Sequence, residues 1–177
     1  MAKTIDRPKV KLIVGIMFGK DDVIGKVEDI LVDKFGPVEN IILTYPFSFT
    51  DYYEKETGKN LRKTLIAFKK LISRDALADI KAFTNKLEDR FAGKGKRKVN
   101  IDPGYLTMHN VVLASAKEMP HRVSIGKGMF ADVVLTFRDN EYHDSETTFP
   151  DYKMGAVKEF LASIRKTYSK QLQKQKS

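Results

Sequence analysis

Residues Val10–Phe18 read VKLIVGIMF, with one charge in nine positions. A run this apolar and this short predicts a strand covered on both faces. The remaining sequence must then supply layers for each side. Asp21 or Asp22 caps the helix that follows, with carboxylates at the positive end of its dipole. Ile24, Val27, Ile30, Leu31 and Phe35 recur along it at helical spacing until Gly36-Pro37 stops it. Residues 38–45 predict a second strand and residues 61–68 a third, joined by an aromatic-rich connection. Ser73 caps a second helix, with Leu77, Ile80, Phe83, Leu87 and Phe91 on one stripe. Residues 98–101 predict a fourth strand, and Asp102-Pro103-Gly104 a tight turn after it.

This order, β-α-β-β-α-β, predicts an α+β fold with a ferredoxin-like core. Beyond it, strands are expected at 111–116, 121–125, 130–137 and 142–149, with a hairpin turn at Asp139-Asn140. Phe149-Pro150-Asp151 introduces a last helix with Val157, Phe160, Leu161, Ile164 and Tyr168 on one face. The later strands are expected to extend the first sheet antiparallel, and the C-terminal helix to pack on it. With 177 residues, no internal repeat and no linker-like composition shift, a single domain over 1–177 is expected, with a basic, frayed tail at 169–177.

The chain has no cysteine, which rules out disulfides and thiolate metal sites. No apolar run approaches the roughly 20 residues of a membrane span. Residues 1–11 lack the apolar stretch of a signal peptide, so a cytoplasmic protein is expected. The formal net charge is +9. Four cations in residues 93–98 and five after Glu159, with no anion in either segment, equal the whole excess. These basic elements suit solubility and a frayed helix end, or else a phosphate backbone or an acidic membrane.

Several enzyme signatures fail. Gly15-Ile-Met-Phe-Gly19-Lys20 stands where a phosphate loop would, but has three intervening residues instead of four and is followed by Asp21-Asp22. Asn85-Lys86-Leu87-Glu88-Asp89 carries its Asp one place late for base recognition, and Leu87 belongs to a helical core stripe. His109, His121 and His143 form no helical pair, so no metal site is assigned. The acidic hairpin Asp139, Glu141, Asp144, Glu146 lacks calcium-loop spacing and reads as a solvated edge.

Two segments remain as candidate sites. Asn100 and Asp102 flank the end of the fourth strand, followed by Lys117, His121, Arg122 and the glycine-flanked Lys127. Arg122 and Lys127 are suited to an anion, and Gly126 and Gly128 permit close backbone approach. The alternative is a turn, an edge strand and a flexible hairpin tip. The second segment spans 45–54, where Tyr45, Phe47, Phe49, Tyr52 and Tyr53 interleave with polar groups such as Glu54. It suits a planar ligand or a stacked base, or else a hydrophobic flap over the sheet.

Pro46-Phe-Ser-Phe-Thr-Asp-Tyr-Tyr-Glu54, Val99-Asn-Ile-Asp-Pro-Gly-Tyr-Leu106, His121-Arg122 and Pro150-Asp-Tyr152 give the chain its family character. Through them it resembles an uncharacterised bacterial family of domains of unknown function, whose members often carry the automatic label "GTP-binding protein". Lys153 stands where that family's pattern has Arg, so no guanidinium contact is carried over there. The resemblance implies no established activity, catalytic residue or cofactor. The leading expectation is a binding module for a phosphate-bearing ligand, a nucleotide or RNA. It would use Asn100, Asp102, Lys117, His121, Arg122 and Lys127 beneath the aromatic segment with Tyr52, Tyr53 and Glu54. The alternatives are a hydrolase or transferase using Asp102 and His121, and a protein-interaction domain using residues 45–53.

Overall fold

A computed structural model describes residues 7–19, 21–42, 44–49, 60–93 and 96–175. All nine residues of β1 (Val10–Phe18) are buried. Strand β1 is flanked by β4 (Arg62–Ile72) and β5 (Val99–Leu106), both antiparallel to it. Among the described residues the sheet has nine strands. Its order continues outward from β4 to β2 (Val38–Ile41), and from β5 through β6 (Asn110–Ser115) and β8 (Met129–Arg138) to β7 (Val123–Gly126). The short β3 (Tyr45–Pro46) also pairs with β4, and β9 (Glu141–His143) with β8. Every strand pairing among the described residues is antiparallel.

Alternation along β1 sorts the core into two layers. Leu12, Val14, Ile16 and Phe18 pack with Val23, Val27 and Leu31 of α1 (Asp21–Phe35) and with Ile80 and Leu87 of α2 (Leu77–Phe91). Ile13 belongs to the other layer, with Val157, Leu161, Ile164 and Tyr168 of α3 (Gly155–Lys174). Each such fully buried aliphatic side chain contributes roughly 1.5–3 kcal/mol of burial. Three polar side chains clasp α3 to backbone oxygens of the sheet layer. Arg165 Nε donates to Met108 O at 3.0 Å, the Tyr168 hydroxyl to Lys9 O at 2.7 Å, and Gln171 Nε2 to Lys69 O at 2.9 Å. No described helix is long and apolar enough to cross a membrane.

The expected order of strands and helices is present, and its details differ in four places. The strand expected at 38–45 is two short pieces, β2 and β3, both on β4. The turn expected at Asp102-Pro103-Gly104 does not form. These residues lie inside β5, held by an unbroken register with β1 from Lys11↔Leu106 to Phe18↔Val99. Eight paired residues outweigh the local turn preference of Pro-Gly. The return strand after Asp139-Asn140 is three residues, not eight. The chain then makes a 3-10 turn, Pro150–Lys153, before α3, which continues as helix to Lys174.

Candidate functional site

Strands β5 and β6 pair only at Gly104↔Leu113, Tyr105↔Val112 and Leu106↔Val111. Residues 99–103 and 114–117 are not paired with each other, so the sheet forks there. Gly104 marks the apex, because a Cβ on it would lie 2.3 Å from Val112 O and 2.5 Å from Leu113 Cδ2. Pro103, with no N–H for a ladder, falls where the β6 ladder has ended. A cleft of about 480 Å3 occupies the fork.

The open backbone edge of β5 needs partners, and α2 supplies them. Ile101 N donates to Glu88 Oε1 at 2.7 Å, and Ile101 O accepts from Lys81 Nζ at 2.8 Å. Lys81 also lies 3.3 Å from Asp102 Oδ1, whose other oxygen accepts from Asn100 Nδ2 at 2.6 Å. Arg97 Nη1 is 3.3 Å from Glu88 Oε2. Burial pushes the Glu88 carboxyl above its ordinary range, opposed by Lys81, by its bond from Ile101 N and by Arg97, and assisted by Asp102.

Arg122 closes the end of β6. Its Nη1 donates to Ser115 Oγ at 2.8 Å and to Lys117 O at 2.9 Å. Its Nε lies 3.7 Å from Asp132 Oδ2, an ionic contact with neither atom hydrogen-bonded. His121 Nε2 is 3.2 Å from the same oxygen, within ion-pair range when the ring is protonated but not aligned as a hydrogen bond.

The remaining wall comes from β4 and the turn before α3. Lys63 Nζ donates to Asp151 Oδ2 at 2.6 Å, and the Tyr45 hydroxyl to the same oxygen at 3.1 Å. Both charged groups are buried, with 7 % and 1 % of their side chains exposed. Gly15 on β1 makes this reach possible, since a Cβ there would sit 3.0 Å from Lys63 Cε. Burial, then the Asp151 charge, raises the Tyr45 phenol well above its ordinary range. Tyr152 is raised by burial and by Asp151, Tyr45 and Asp102. Phe47, Phe49 and Phe149 add apolar lining, with Lys63 Nζ 5.6 Å from the Phe47 ring centre and the Arg122 guanidinium 5.9 Å from that of Phe149.

Of the residues singled out from sequence, Asn100, Asp102, Lys117 and Arg122 line this cleft. His121 reaches it through Asp132. Lys127 does not line it; it pairs with Asp79 on α2, and its φ of 56° stands between two glycines with φ of 88° and 70°. Tyr52, Tyr53 and Glu54 lie outside the described residues. Among the described residues Asp102 bonds with Lys81 and Asn100 and not with His121, which is engaged with Asp132 instead. Sequence reading missed Lys63, Lys81, Glu88, Asp132 and Asp151. Lys63 had a signal: it shares the inward face of β4 with Leu65 and Ala67. So did Lys81, Thr84 and Glu88, at helical spacing on the buried side of α2.

No curated protein and no solved structure matches the chain. The family model for a domain of unknown function, DUF4416, matches residues 8–168. That span takes in the fork, both sheet layers and most of α3, and the chain belongs to the DUF4416 family.

Proposed function

We propose that the fork binds a phosphate-bearing ligand, a nucleotide or RNA. The observation that carries this reading is the composition of one cleft. Lys63, Lys81, Arg97, Lys117 and Arg122 line it against Asp102, Asp132 and Asp151, so its described lining is net positive. The three phenylalanines offer faces for a planar base, and about 480 Å3 lies within the usual range of small-molecule clefts. The carboxylates preorganise the cations, which lowers the ordering cost of binding. An RNA strand would enter one nucleotide at a time.

A thermal-shift panel of nucleosides, mononucleotides and short RNA oligonucleotides tests the reading. At ligand concentrations near 100 Kd, a true ligand stabilises by about 2.7 kcal/mol, a rise of roughly 5–10 °C for a chain of this length. The shift should require phosphate and fall in Lys117→Glu and Arg122→Ala. If every phosphate-bearing member leaves the melting temperature unmoved, the reading is wrong.

A further inference from the structure

The end of the sheet opposite the fork carries a second, more open groove of about 350 Å3. Lys9, Lys69, Lys70 and Lys174 line it, with Leu71 and two glutamine amides. No carboxylate is among its described lining residues. This is the reverse of the fork, where Lys63, Lys81 and Arg122 each face an aspartate. None of the four groove lysines forms an ion pair among the described residues.

The groove is built by two features of the fold. In a regular strand Lys69 and Lys70 would point to opposite faces. The β1–β4 register jumps between Lys11↔Leu71 and Ile13↔Ala67, and at this bulge both lysines are exposed. The Gln171 bond to Lys69 O then holds the last turns of α3, and with them Lys174, beside β4. Lys9, anchored through its carbonyl to Tyr168, closes the set.

We infer that this groove is a docking surface for the phosphate backbone of a double-stranded or folded nucleic acid. Clustered, unneutralised lysines match a polyanion, and ammonium groups contact phosphates as point charges without reading bases. Among the described residues no aromatic side chain lines the groove, so they offer no platform for stacking single-stranded bases. Leu71 is its one large apolar residue, and it is buried, which argues against insertion into a membrane interface. From Lys63 at the fork to Lys70 is seven strand residues, on the order of 23 Å at about 3.3 Å each. The surface is therefore separate from the fork and does not rest on the nucleotide reading.

The test is fluorescence anisotropy of the full chain with labelled DNA duplexes and RNA hairpins of unrelated sequence, about 20 base pairs long, across a salt series. Wild type should bind them with similar affinity, and log K should fall linearly with log salt. Lys69→Glu/Lys70→Glu, whose side chains are exposed, should weaken binding at least about tenfold and flatten the slope by about 1.8, from roughly 0.9 per lost phosphate contact. Lys117→Glu at the fork should leave duplex binding intact, and the double variant should keep any nucleotide-induced thermal shift. Equal affinity and slope for wild type and the double variant would overturn the inference. So would binding to anionic phospholipid vesicles but to neither nucleic acid.

Discussion

Glu88 is 2 % exposed at the base of the fork, between Lys81 and Arg97. Its two cationic neighbours and its bond from Ile101 N do not fully offset the loss of water, so its pKa is raised above the ordinary 4.5. A raised carboxyl pKa means that the folded chain holds its proton more tightly than the unfolded chain. The contribution is intact below the unfolded value, near 4.5, and is lost as pH rises through the folded one. Glu88→Gln removes this titration, so its stability relative to wild type should improve as pH rises from about 4.5 and level off once the folded value is passed. Urea midpoints of both proteins across that range measure the difference. A difference that does not vary with pH would mean that the carboxylate is compensated and titrates normally. The spacing of Glu88 with Lys81 and Thr84 pointed to the buried side of α2, but nothing in the sequence says what would meet a charge there. The unpaired edge of β5 is what meets it.

At the scale of elements, two glycines illustrate different constraints. A Cβ on Gly15 would meet the far end of a lysine side chain, which can move, whereas a Cβ on Gly104 would meet the Val112 carbonyl. Gly104→Ala must therefore push β5 and β6 apart at the apex of the fork. The expected loss is about 3 kcal/mol, the upper range for overpacking, or roughly 6–12 °C in melting temperature. Gly15→Ala should cost less and act mainly on Lys63. Near-equal melting temperatures for wild type and Gly104→Ala would show that the fork is more pliable than its spacing implies. Periodicity made the helices legible: Val27, Leu31, Ile80, Leu87, Val157, Leu161 and Ile164 are all buried, as their spacing required. The Asp139-Asn140 turn was legible too, since both residues take the positive φ those side chains tolerate, 50° and 63°. The fork was not legible, because Pro103-Gly104 carries the local chemistry of a turn. Its actual role, a strand passing the end of a neighbouring ladder, depends on pairing with residues about 90 positions earlier in the chain.

At the scale of the molecule, Lys63–Asp151 ties β4 to the turn that launches α3, 88 residues later. Proximity of this kind is invisible in sequence, although Lys63 at an inward strand position and Asp151 within Pro150-Asp-Tyr152 each carried a sign of it. The pair also fixes one wall of the fork, so fold and site share it. Removing a single partner leaves a buried charge with incomplete compensation, at a cost of about 3–5 kcal/mol, whereas replacing both with apolar groups of similar size costs far less. Asp151→Leu and Lys63→Met should each lower stability by that amount, and the double variant should recover most of it. Denaturant unfolding of the four proteins in a double-mutant cycle measures the coupling. If the pair served stability alone, the double variant would retain any nucleotide-induced shift found at the fork. Because Lys63 and Asp151 line that cleft, the expected outcome is a recovered fold with a weakened shift. Additive single losses, with no recovery in the double variant, would show that the two groups are each solvated independently and do not join α3 to the sheet.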